Sequence, residues 1–198
     1  MKRGLGMLLV SIALLAAGCR RPPEGEALPV VRPFPLQVGH TAVVQFRIEP
    51  LRRDYGEILL IGLRAPHPPG DASTSADEAE ARFDSIRLRL RLWRRTPQGW
   101  QPARLTQDVF VPAIRDWRTV ALENGVTVGA NRTTVKDADF EAKGLSADPA
   151  FYYHVSYSEL VMPTVGLYRL EATLLDPGRA PATGWPVELF VSHPFPAK

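Results

Sequence analysis

The chain has 198 residues, 45% hydrophobic and 23% charged, with 19 prolines, one cysteine and a formal net charge of +3. That composition excludes a wholly disordered, collagen-like or coiled-coil protein. The single cysteine excludes an internal disulfide and any cysteine-based structural zinc site.

The N-terminus reads MKRGLGMLLVSIALLAAGC. Lys2 and Arg3 form a charged leader, followed by an apolar run of about 13 residues, the length of a signal-peptide core. A spanning helix needs about 20 apolar residues, so this run is too short for one. Ala16, Ala17 and Gly18 lead into Cys19, and this ending resembles the lipobox of bacterial lipoproteins, with Ala16 departing from the commoner Leu. The resemblance implies a signal peptide over residues 1–18, cleavage before Cys19 and acylation of its thiol. Arg20 stands where lipoproteins kept in the inner membrane usually carry Asp, so the implied location is the periplasmic face of the outer membrane. Cleavage would remove Lys2 and Arg3 and no acid, leaving 22 basic against 21 acidic residues. The positive charge is therefore no argument for nucleic acid as a partner.

Residues 19–37 carry five prolines and no periodic apolar pattern. They are expected to form an extended, semi-rigid spacer of roughly 50 Å behind the lipidated cysteine. Residues 38–198 are then the folded domain, long enough to bury a core without staples.

That domain reads as strands. Ala42, Val44, Phe46 and Ile48 alternate with polar neighbours, and Ile58 to Leu63 is continuously apolar, as in a strand buried on both sides. Ile86, Leu88, Leu90 and Leu92 alternate with Arg87, Arg89 and Arg91. A turn at Thr96–Gly99 leads into a predicted strand from Trp100 to Val111. Asn124-Gly125 predicts a hairpin between 119–122 and 126–128. Segments 151–157, 168–174 and 187–191 complete eight or nine strands. Residues 75–82 form a polar candidate helix, and 136–149 a polar, strandless insertion. The pattern predicts an all-β fold, an antiparallel β-sandwich. The segments FRIEPLRRDYGEILLIGL, IRLRLRLW, VGLYRLEATLLDPG and WPVELFVSHPF, in that order, resemble a family of uncharacterised bacterial lipoproteins with a β-sandwich domain. The resemblance rests on packing residues and implies fold and compartment only.

The chemistry is sparse. His40, His67, His154 and His193 have no metal-ligand spacing, and no nucleophile motif or glycine-rich phosphate loop occurs. Asp137, Asp139 and Glu141 alternate, but the loop lacks the glycine and terminal glutamate of a calcium site, so a solvated acidic loop is expected. No catalytic residue, metal or cofactor is expected. Arg87, Arg89 and Arg91 project from one strand face about 6.6 Å apart, a basic ridge suited to an anionic partner unless Glu49, Glu171 or Glu188 neutralises it. Tyr152 and His154 share the outward face of their strand, and together with Trp117 are candidate interface residues.

Two functions follow. One is a non-catalytic, lipid-anchored module that captures a periplasmic protein, for example an immunity lipoprotein blocking a secreted toxin. The other is an envelope protein that contacts lipid, lipopolysaccharide or peptidoglycan.

Overall fold

The computed structural model describes residues 24–50, 58–66, 81–127, 129, 131–132, 137–146, 152–180 and 186–194. The predicted signal peptide and Cys19 lie outside them. One sheet has five strands, in the order β1 (Glu26–Ala27), β3 (Thr41–Ile48), β11 (Gly166–Asp176), β5 (Arg87–Thr96) and β6 (Gly99–Ala103). The other runs β2 (Val30–Pro33), β12 (Glu188–Ser192), β4 (Ile58–Pro66), β10 (Tyr152–Val161), β7 (Thr106–Val111) and β8 (Asp116–Ala121), and the two-residue β9 (Asn131–Arg132) also pairs with β10. The pairing is antiparallel throughout except between β1 and β3. The fold is the expected all-β sandwich.

Period-two alternation builds the core. Ala42, Val44, Phe46 and Ile48 of β3, Leu88, Leu90 and Leu92 of β5, and Tyr168, Leu170, Ala172 and Leu174 of β11 turn inward. They meet Leu59, Ile61 and Leu63 of β4 and Leu189 and Val191 of β12 in one cluster. Each Val, Leu, Ile or Phe among them contributes about 1.5–3 kcal/mol by leaving water. The phenol of Tyr157 donates to the Phe83 carbonyl oxygen at 2.5 Å, satisfying a polar group that is otherwise sealed in. Burial and then the Asp84 charge push that phenol's pKa well up, so it stays a donor.

Strand β4 is buried on both faces because its outer side carries a second, smaller core. The short helix Asp137–Glu141 lies there with Phe140 against Leu60, Val31 and Phe190. Gly62 permits this close packing. A Cβ on it would stand 2.1 Å from the Val155 carbonyl oxygen and 2.6 Å from the Phe190 ring.

The spacer predicted for residues 19–37 does not extend through its second half. Residues 26–27 and 30–33 are strands, and Val30, Val31 and Phe34 are buried. Proline is tolerated here because β2 is an edge strand that need donate hydrogen bonds on one side only. The predicted strand 100–111 is two strands in different sheets, with the chain crossing at Arg104 and Leu105. Asn124-Gly125 makes no hairpin. Both residues have positive φ in a 3₁₀ turn that carries the chain from β8 back to the five-stranded sheet, where Val126 bridges Arg89. The segment 136–149 is not wholly a solvated polar loop, since Phe140 anchors it. Of the candidate helix 75–82, residues 75–80 lie outside the described residues, and 81–84 are helical.

Candidate functional site

Strands β7 and β8 pair with each other over six positions, but β7 meets β10 at the single register pair Thr106–Glu159. Beyond it β9 takes the place beside β10, opposite Val155 and Ser156. Among the described residues the β7–β8 hairpin is therefore joined to the sheet ladder at its root alone and forms an arm, with Gln107 buried at its base. Phe110 and Trp117 are register partners and share a face, their rings edge-to-face at 5.5 Å. They are 47% and 56% exposed, and Ile114 in the connecting turn is half exposed as well. Glu159 at the root shares this outer face, and burial, then the nearby Asp108 charge, raises its pKa. Strand β8 is the sheet edge, so its outer backbone groups are unpaired within the described residues. Trp117 is thus placed in an exposed aromatic patch. Phe110 and Ile114 belong with it but are not evident in the sequence, because one predicted strand 100–111 hides the β7–β8 register and Ile114 falls beyond its end.

Arg87, Arg89 and Arg91 lie on the outer face of the five-stranded sheet, on the opposite side of the sandwich from the aromatic patch. Arg91 approaches Glu171 at 3.6 Å. Register sets Arg89 beside Thr173 and Arg87 beside Asp176. Of the acids weighed as neutralisers, Glu171 is in place, whereas Glu188 belongs to the other sheet and pairs with Arg64. Arg47, Arg95 and Arg169 join the same face by register.

Tyr152 and His154 are not an exposed pair. They face outward from β10 as expected, but the helix Asp137–Glu141 covers them. Phe140 lies 5.6 Å from the His154 ring, and Phe190 lies at the same separation on another side. The Tyr152 ring carries the Arg64 guanidinium at 4.3 Å, and Phe140 carries it at 4.7 Å. Arg64 is 1% exposed, pairs with Glu188 at 2.9 Å and also donates to the Leu145 carbonyl oxygen. Burial first, and then the Arg64 charge, lowers the His154 pKa to about 4, against a hydrogen bond at the Tyr152 backbone that raises it. The cluster clamps the 137–146 segment onto the sheet.

A cleft of about 310 Å³ opens at the end of the sandwich, between the β1–β2 link and the same helix. Arg47, Glu49, Asp139, Lys143 and His193 line it. Lys143 donates to the carbonyl oxygens of Ala27 and Pro29, and burial lowers its pKa despite the opposing Glu49 charge. His193 Nδ1 lies 3.3 Å from the Ile58 carbonyl oxygen, and its pKa is lowered chiefly by burial. The lysine thus ties the helix to the N-terminal strands. Residues 137–141 are helical, and a helical turn is not the backbone of a calcium-binding loop. Among the described residues no group of three His, Cys, Asp or Glu side chains is placed to hold a metal ion.

No protein-family model matches the chain, and no curated protein matches it. The crystal structure of GEBA250068378 from Sulfurospirillum deleyianum is similar at a TM-score of 0.41 and 6% identity, covering 83% of this chain and 96% of that one.

Proposed function

We propose that this chain is a non-catalytic binding module, tethered by a lipid on Cys19 to the periplasmic face of the outer membrane, that holds a protein partner on the β7–β8 arm. The exposed Phe110–Trp117 pair, beside a strand that is the sheet edge among the described residues, carries this reading. Aromatic side chains offer much contact area for little lost rotamer freedom, which is why they anchor interfaces. An edge strand beside them offers backbone pairing to an incoming extended segment. The partner is then a protein with an apolar recess flanked by an extended stretch. A secreted toxin whose active site is blocked by the arm would make this an immunity lipoprotein, a role that needs no chemistry of its own.

The test is a pull-down from envelope extract with residues 20–198, which include every strand, at low and high salt. One stoichiometric protein retained at high salt, and lost with Phe110→Ala plus Trp117→Ala while thermal unfolding stays unchanged, is the expected result. Retention by the double variant, or no retained protein, overturns the arm as the site. The second reading, contact with an envelope component, is favoured by a different observation: the arginines on the opposite face.

A further inference from the structure

We propose that the outer face of the five-stranded sheet seats the domain flat on an anionic, phosphate-bearing lipid surface. Arg47, Arg87, Arg89, Arg91, Arg95 and Arg169 share this face by register, against Glu171 and Asp176, with Glu49 two residues beyond Arg47 at its end. Arg91 remains 54% exposed beside Glu171, and the charge excess is that of a surface seeking anions. The arginines do not converge. Spacings of about 6.6 Å along a strand and 4.8 Å between strands spread them into an array. One free phosphate cannot satisfy such an array, whereas a sheet of headgroups can.

Apolar and aromatic groups are interleaved with the cations as at a membrane interface. Trp93 lies under the Arg169 guanidinium at 5.9 Å, and Trp100 under that of Arg95 at 5.6 Å. Val43 is half exposed between them and the edge strand. Tryptophan settles at headgroup depth, and arginine bridges phosphates there.

The path of the chain favours the same surface. Strand β1 is the edge of this sheet, and Arg47 Nη2 donates to the Glu24 carbonyl oxygen at 2.9 Å, pinning the entering chain beside the face. Cys19 lies five residues earlier, so covalent geometry limits the leash to about 18 Å. The arginine row on β5 is three strands from β1, about 14 Å across. This leash argument rests on the lipid anchor proposed above, whereas the charge argument stands without it.

The two are separated by assaying the unacylated chain 20–198 on vesicles of phosphatidylcholine with added phosphatidylglycerol, and of phosphatidylcholine alone. Each arginine at an anionic surface is worth about five-fold in partitioning, so Arg87→Glu, Arg89→Glu and Arg91→Glu together should weaken co-sedimentation at least about a hundredfold. The triple lysine variant should keep most of the binding, and added salt should weaken the wild type. Should the triple glutamate variant unfold, Arg87→Gln with Arg89→Gln leaves the Arg91–Glu171 pair intact and should lose about 25-fold. Wild-type binding by folded charge variants overturns the proposal, as does equal binding to both vesicle types or displacement by inorganic phosphate at matched ionic strength. Fractionation of full-length Cys19→Ser cells reads the anchor alone.

Discussion

Arg64 has a buried charge met from all sides: a carboxylate, a backbone carbonyl and two ring faces. Truncating one partner of such a set leaves the others unpaired, so Arg64→Ala should cost about 3–5 kcal/mol, read from denaturant unfolding. A loss below about 1 kcal/mol would show that the clamp on residues 137–146 is not a stability element. His154 beside it makes stability depend on acid. Its folded pKa lies below the free value of 6.5, so the unfolded chain takes up its proton first. Its contribution is complete above pH 6.5 and is lost as pH falls towards 4, by up to about 3 kcal/mol. His193, also lowered by burial, acts in the same direction, whereas Glu159, whose pKa is raised, gains stability on acidification. His154→Gln should flatten the stability profile between pH 6.5 and 4, measured by thermal unfolding across that range. An unchanged slope would mean that the imidazole is not desolvated in solution.

The arm and the sheet it leaves should differ in protection. With one register pair joining β7 to β10, the amides of residues 109–118 should exchange far faster than those of β4 and β11, which lie between paired strands. Hydrogen exchange followed by mass spectrometry reads this directly, and equal protection would mean the arm is held by more than its root. In the centre of the sheet the opposite holds, because a backbone carbonyl cannot retreat as a flexible side chain can. Gly62→Ala should therefore destabilise by about 1–3 kcal/mol, visible as a lower denaturant midpoint. These elements also mark what could be read from residues alone. Strands β3, β5 and β11 alternate cleanly because one face meets the core and one meets water, so their inward residues were legible. The unbroken apolar run of β4 correctly signalled burial on both faces, but not that residues 137–146 supply the second cover. Phe140 is one aromatic in a polar stretch, and a single long-range contact leaves no period. The strands Glu26–Ala27 and Val30–Pro33 are hidden in the sequence for a related reason. Proline content signals an extended chain, and an extended chain is also what an edge strand requires. The aromatic arm was half legible: Trp117 was singled out, but Phe110 becomes its partner only through a register that depends on where the chain changes sheets.

At the scale of the molecule the two proposed surfaces are back to back. In a face-to-face sandwich the arginine array and the Phe110–Trp117 patch point in opposite directions, so a domain lying on lipid through one presents the other away from the bilayer. The leash reinforces this arrangement, since a longer spacer would let the domain tumble above the surface and make its orientation irrelevant. Residue-level labelling can test the geometry without knowing the partner. The chain 20–198 has no cysteine, because Cys19 is the sole one. Val43 is exposed on the arginine face and Val120 on the edge strand of the arm. With phosphatidylglycerol vesicles present, Val43→Cys should react several-fold more slowly with a bulky, membrane-impermeant maleimide, while Val120→Cys reacts as it does in buffer. Slowing of both sites together would mean the domain has no fixed seat on lipid. Slowing at Val120 alone would mean that the edge strand β8, on its face away from Trp117, meets the membrane in place of the arginine face.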